Sequence, residues 1–248
     1  MIKVSVYIIC KNEEKHIKRV LESVKEFAEI IIVDSGSIDN TLEIAKNYTD
    51  NIYHQEWMGF AKQKEYARSL CSNEWVLNLD ADEELTIELK NEIISTINEN
   101  KVDGLNIKIS SLYLGKFNNE KSKFNRRIRF FRKSLGYYPE KLVHESIVVN
   151  GKIKKAKSFI YDYGTIDLKT HLDKINAYSS LRAEEKFKKN KRNSLLKLLF
   201  VFPLSFFKSY IIKRGFLNGT RGFIAAVNNS FYAFLKEAKL YELWNKQQ

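Results

Sequence analysis

Only two cysteines and two prolines occur in 248 residues. Cys10 and Cys71 lie in apolar or helical surroundings without metal-type spacing. That excludes a disulfide scaffold and a cysteine-rich metal site, and it fits a reducing, cytoplasmic compartment. Ten glycines leave no room for long linkers. No G-x-G-x-x-G follows the first apolar run, which disfavours a dinucleotide fold. No G-x-x-x-x-G-K-[ST] is present, which disfavours a P-loop ATPase. Met1-Ile-Lys-Val-Ser-Val runs straight into a strand pattern, so no signal peptide is expected. The longest apolar run, Leu195–Ile212, is cut by Lys197, Pro203 and Lys208, so it is not expected to cross a bilayer. Between Lys186 and Lys236 there is no acidic residue, against eleven basic ones.

Hydrophobic residues make up 44% of the chain, a globular composition with enough material for a sizeable core. The net charge of +12 is unevenly placed. Residues 1–100 hold 11 basic and 19 acidic side chains, and the remainder holds 31 and 11. A basic second half implies an anionic partner, a membrane or a nucleic acid, unless it is only a solvated face.

Val4–Cys10, Glu29–Asp34, Asn51–His54 and Trp75–Leu79 are short apolar, β-branched runs and predict strands. Between them, Ile17, Val20, Leu21, Val24 and Phe27 follow helical spacing, with Asn12 as a candidate cap. Leu42, Ala45 and Tyr48 follow a cap at Asp39 or Asn40. Phe60–Cys71 and Glu84–Glu99 predict two further helices, with Glu83 and Glu84 read as the start of the second. This βαβαβαβ order, with strands apolar throughout, predicts a parallel sheet covered on both faces. Gly104–Tyr113 predicts a strand. Asn150-Gly151 within Val143–Lys154 predicts a type I′ hairpin. Asp103 reads as a turn residue. Asp167 reads as the cap of a long helix to about Lys191, and Phe216–Trp244 as another helix.

Ligands of such sheets bind beyond the strand carboxyl ends. Three clusters fall there: Lys11-Asn12-Glu13, Asp34-Ser35-Gly36 and Asp80-Ala81-Asp82. Carboxylates at i and i+2 on a rigid strand end can share a hard divalent cation, or bind it and a ribose hydroxyl. The bland alternative is a helix N-terminus favoured by acids.

"SVYIICKNEE", "EIIIVDSGSIDNTLEIAK", "WMGFAKQKEYA" and "WVLNLDADEEL" resemble the family-2 glycosyltransferases. "RRIRFFRK", "LVHESIVVNG" and "KINAYSSLRAEE" are similar to the bacterial lipopolysaccharide-core β-glucosyltransferase-like subgroup. The resemblance implies an α/β GT-A fold, a mixed sheet with helices on both faces and a C-terminal helical extension. It implies a UDP-sugar donor, Mg²⁺ or Mn²⁺, and inversion at the anomeric carbon. Asp34 would contact the base or ribose, Lys11, Asn12, Glu13 and Gly36 would line the same pocket, and Asp80 would reach ribose or metal. Asp82 would bind the metal. Gln63 and Lys64 would face the nucleotide, although Lys62, Lys64 and Arg68 also read as an exposed helix face.

The base that deprotonates the acceptor must come from the second half. In members of the family that this chain resembles, that base often lies in a Glu-Asp pair; no such pair exists there, and the resemblance then implies Glu145 as the candidate, with His144 as an alternative base or metal support. Asp162 is a further site to watch. Arg127, Arg129 and Arg132 alternate with apolar residues and are candidates for an anionic acceptor, or else mark a solvated edge strand. Residues 1–165 read as the catalytic domain, 1–100 the nucleotide-binding half and 101–165 the acceptor-side half. Residues 166–248 read as a helical extension in peripheral contact with an anionic membrane, or as an internally packed helix pair. The expected partners are a UDP-sugar and a saccharide or glycolipid acceptor at the inner face of the cytoplasmic membrane, not nucleic acid. A protein or other lipid-linked acceptor, or a sugar-nucleotidyltransferase activity, are the alternatives.

Overall fold

A computed structural model describes residues 1–139, 146–164, 167–192 and 194–246. The described residues form two compact units, 1–111 with 125–164, and 112–124 with 165–248.

In the first unit, β1 (Ile2–Cys10) is apolar on both faces. Val4, Val6, Ile8 and Cys10 enter one core, and Tyr7 and Ile9 enter another. A strand buried on both sides must lie centrally in a covered sheet. β1 pairs in parallel with β2 (Phe27–Asp34), which pairs with β3 (Ile52–His54). On its other side β1 pairs in parallel with β4 (Trp75–Asp80). The chain thus steps outward one way through β2 and β3, then returns to the opposite flank of β1. That reversal opens a crevice at the carboxyl ends of β1 and β4.

The first core is closed by α1 (Ile17–Val24), α2 (Thr41–Ala45) and α4 (Ile87–Glu99), and the second by α3 (Phe60–Ser69). β5 (Glu83–Leu85), β6 (Gly104–Ser111), β7 (Asn125–Arg132) and β10 (Ile153–Asp162) complete an eight-stranded mixed sheet. Its order is β3-β2-β1-β4-β7-β6-β10-β5. A small pair, β8 (Gly136–Tyr137) and β9 (Val148–Val149), lies apart from it.

Three local expectations change and one is narrowed. Glu83 and Glu84 do not begin a helix: Glu83–Leu85 pairs antiparallel with β10, and Thr86 caps α4 by accepting the Leu89 N–H. Asn12 caps no helix. It takes a left-handed φ of 56°, and its N–H donates to Ser37 Oγ at 2.9 Å while its Oδ1 accepts from Ile38 N–H, tying the two loops together. Of the two candidate caps of α2, Asn40 makes no side-chain cap bond, and it is Asp39 whose carboxylate accepts the Thr41 N–H at 3.0 Å. Asn150-Gly151 joins strands that pair with different partners, β8 and β6. Gly151 does not take the positive φ that a type I′ turn needs.

In the second unit, α5 (Leu168–Lys188) is capped by Asp167, which accepts the Thr170 N–H at 2.8 Å. α6 (Leu195–Phe207) continues into a π-helical turn, Lys208–Ile212, and α7 (Gly219–Asn245) follows a short 3-10 turn. α6 runs antiparallel along α7. Lys197 meets Glu237 at 3.3 Å, and Phe206 meets Phe223 with centroids 5.6 Å apart.

Candidate active site

Asp34 ends β2 and is buried, with 2% exposure. Its carboxylate accepts the N–H groups of Gly36 (2.8 Å) and Ser37 (3.0 Å) and the Ser37 hydroxyl. Gly36 has φ +89°, which this tight turn requires. Glu13 N–H donates to Thr41 Oγ1 at 2.7 Å, so the loops after β1 and β2 are fixed to each other. Gln63 is wholly buried. Its amide donates to Ser35 Oγ and to the Gln55 carbonyl, both at 3.0 Å, and accepts from Met58 N–H. It pins the loop before α3 against the end of β2.

Asp80, at the end of β4, is held from two sides. Lys64 donates to Oδ1 at 2.7 Å and Arg129 to Oδ2 at 2.6 Å. Lys64 is therefore not on an exposed helix face; it is buried beneath the crevice. Arg129 also pairs with Glu83 at 2.5 Å and donates to Asn78 Oδ1 at 2.7 Å. Burial alone would raise the Asp80 carboxyl. Arg129 and Lys64 more than offset it and hold Asp80 well below the ordinary carboxylate range. Glu83 in turn accepts the Asp80 N–H at 2.9 Å. Two buried cations, Lys64 and Arg129, thus face buried Glu83 and the partly exposed Asp80.

This cluster exists because β7 contains a bulge. Leu105 pairs with Phe130 but Asn106 pairs with Ile128, so Arg129 is the extra residue. The expected alternation of β7 fails there: Phe130 enters one core and Ile128 packs on the other. The three arginines are separated as a result. Arg129 is buried in the ion-pair cluster, so it does not present its fork to an acceptor. Arg132 lies at the amino end of β4, over the Trp75 ring at 4.4 Å and paired with Asp103. Only Arg127 is exposed.

Asp82 has a different environment. Burial pushes its carboxyl up to about 7, reinforced by Asp162, Asp80, Glu83 and Glu13. Across it, Tyr163 N–H donates to the Asp82 carbonyl at 2.9 Å. Gly164 sits so close that a Cβ there would lie 2.2 Å from Asp82 Oδ2 and 3.1 Å from Asp162 Oδ1. Asp162 accepts from Ser111 Oγ at 2.7 Å and from Gly164 N–H at 2.9 Å. A hard divalent cation fits this donor set through Asp82, where the carboxylates of Asp162, Asp80, Glu83 and Glu13 concentrate negative charge. It fits less well at Asp80, whose two oxygens are already taken. No cluster of three or more His, Cys, Asp or Glu side chains arranged for a metal occurs among the described residues. One or two carboxylates plus substrate phosphates are the ordinary protein share for Mg²⁺.

A cleft of about 500 Å³ joins these parts, lined by Cys10, Lys11, Glu13, Ser35, Asp80 and Asp82, with Trp57 and Phe60. The two aromatic rings stand edge to face at 4.7 Å and are each 49% exposed. Sequence reading missed them and the support given by Arg129 and Glu83. Half-exposed aromatics beside a glycine with φ +90°, Gly59, leave no periodic signal. His144 and Glu145 lie outside the described residues.

The sequence model of glycosyl transferase family 2 matches residues 5–151. An uncharacterized glycosyltransferase of Rickettsia typhi is 35% identical over 98% of this chain and 88% of its own length. The lipopolysaccharide core biosynthesis glycosyltransferase LpsC of Rhizobium meliloti is 32% identical, covering 96% of this chain and 92% of LpsC. Among solved structures, S. aureus TarS 1–349 in complex with UDP-GlcNAc superposes with a TM-score of 0.52 at 18% identity, over 100% of this chain and 93% of that one. That last likeness concerns the fold.

Proposed function

The chain belongs to glycosyl transferase family 2, and from that premise we propose that it transfers a hexose, glucose favoured, from a UDP-sugar to a saccharide acceptor of the cell envelope. Lipopolysaccharide core is the leading acceptor class, a reading supported by the similarity to LpsC. The donor class is supported by the likeness to TarS, whose complex contains UDP-GlcNAc. The enzyme works on the cytoplasmic side, in peripheral contact with the anionic inner face of the membrane, and takes no nucleic acid.

The observation that carries the reading is the pairing of a neutralised Asp80 with a crowded Asp82 in one cleft. Asp34, locked by its turn, holds the ribose or base. Lys11 and Glu13 line the same pocket. Asp80 is fixed by Lys64 and Arg129, so its position does not depend on the donor. Asp82 would hold Mg²⁺ or Mn²⁺. Bound there, the cation supplies neutralisation of the departing diphosphate. The anomeric carbon is attacked from the opposite face, and a single displacement inverts it. Glu145 takes the acceptor proton as base, with His144 beside it in sequence.

UDP release from a panel of UDP-hexoses with Mn²⁺ or Mg²⁺ tests this function. Asp82→Ala should remove metal-dependent turnover, and Glu145→Gln should keep donor binding while losing transfer. Full turnover by Asp82→Ala would exclude the metal assignment, and full transfer by Glu145→Gln would move the base elsewhere.

A further inference from the structure

A helix at the surface of a protein in water turns its apolar stripe inward and its polar side outward. α6 and its π-helical continuation do the reverse. The partly buried stripe is Leu198, Val201, Phe202, Ser205, Phe206, Ser209 and Tyr210, and includes both serines of the segment. The exposed stripe carries Leu195, Leu199, Phe200, Leu204, Phe207 and Ile211. Leu195 is 70% exposed and Leu204 66%. Over the 18 residues Leu195–Ile212 none is fully buried. So continuous an apolar face is far beyond the scattered exposure normal for a surface.

We propose that this outward face of α6 is a docking surface for an anionic lipid bilayer, lying in the plane of the interface rather than crossing it. Charge complementarity names the occupant. Lys191 and Arg192 stand exposed before the face, Lys208 lies on it, and Lys213 and Arg214 stand exposed after it. No acidic side chain occurs from Lys186 to Lys236 to repel lipid phosphates. Long basic side chains can keep their heads at phosphate level while leucine and phenylalanine enter the acyl boundary. Between Lys197 and Lys208 runs a shallow groove of about 270 Å³ floored by Phe200, Val201 and Leu204. A crossing orientation is disfavoured by the other side of the helix. Lys197 pairs with buried Glu237, which also pairs with Lys186, and Ser209 accepts from Asn229. Immersing α6 on all sides would carry that polar seam into hydrocarbon. The inference deepens the membrane contact in the proposed function but needs no sugar chemistry.

The full chain is sedimented with vesicles of phosphatidylcholine alone or mixed with phosphatidylglycerol. Binding is expected only to the mixed vesicles and should weaken with salt. Leu199→Glu/Leu204→Glu alters two exposed positions, so it should fold normally and lower the partition coefficient about tenfold or more. Leu204→Trp should show a blue-shifted emission on the mixed vesicles. Three results would overturn the proposal: no binding to mixed vesicles, survival of the bound form through alkaline carbonate extraction, which marks a spanning helix, or a dimer that the double glutamate variant converts to monomer without any vesicle binding. UDP release in vesicle-free solution separates the two readings. Turnover without vesicle binding sinks the docking surface alone, and vesicle binding without turnover sinks the transferase reading alone.

Discussion

Asp80 and Asp82 are one residue apart, yet their carboxyls are driven in opposite directions. Asp80 points at Arg129 and Lys64, whereas Asp82 is crowded by Asp162, Asp80, Glu83 and Glu13. The folded chain therefore holds the Asp82 proton more tightly than the unfolded chain does. Stability without metal should fall as pH rises between the ordinary value of 3.8 and about 7. Asp82→Asn should remove this dependence and, in chelator near pH 8, stabilise the protein by ~1–2 kcal/mol after allowing for partial exposure. Urea unfolding against pH checks it; an unchanged profile would mean the crowding is not felt. Arg129 acts in the other direction. Arg129→Met leaves Asp80 and Glu83 facing only Lys64 and should cost about 3–5 kcal/mol. Arg129→Lys should recover part of the loss, as a single ammonium replaces the fork that serves Asp80, Glu83 and Asn78. Thermal melts of the two variants decide this.

At the level of elements, two short irregularities build the site. The bulge in β7 turns Arg129 out of its expected alternation, and β5 pairs Glu83 with Asp162 across the sheet edge. Neither has a period to read. Three residues are too few to distinguish a strand from a helix start, and Glu83-Glu84 after Asp82 favours a helix by propensity. Pairing with β10, a contact far away in sequence, decided otherwise. The turn after β10 completes the arrangement through Gly164. Gly164→Ala would place a methyl 2.2 Å from Asp82 Oδ2, so either the turn or the carboxylate must move. Metal-dependent UDP release should fall at least about tenfold, because small misplacements of positioning groups carry costs of that size. Isothermal titration with Mn²⁺ and UDP should show the same loss, and undiminished binding would disprove close packing there. By contrast, β1, β2 and β4 follow from their apolar runs, and Asp167 caps α5 as its position implied.

Over the whole chain, the two units carry different chemistry. The acidic half of the sequence supplies the cleft and the basic half supplies the exposed face of α6. UDP with Mn²⁺ binds the folded state, so at about 100 times its Kd it should add ~2.7 kcal/mol of protection. Hydrogen exchange should locate that protection at the ends of β1, β2 and β4 and leave α6 unchanged. Protection spread equally over α5–α7 would place the donor elsewhere. The parallel half-sheet, the three strand-end clusters and the family were legible because local hydrophobic patterning fixes strands, and strand ends in such sheets collect ligands. The sequence by itself determined that Asp34, Asp80 and Asp82 share an edge. Only the tertiary structure decided which carboxylate is neutralised, because Lys64 and Arg129 reach Asp80 from α3 and β7. Coulomb attraction depends on distance in space, and no spacing along the chain records it.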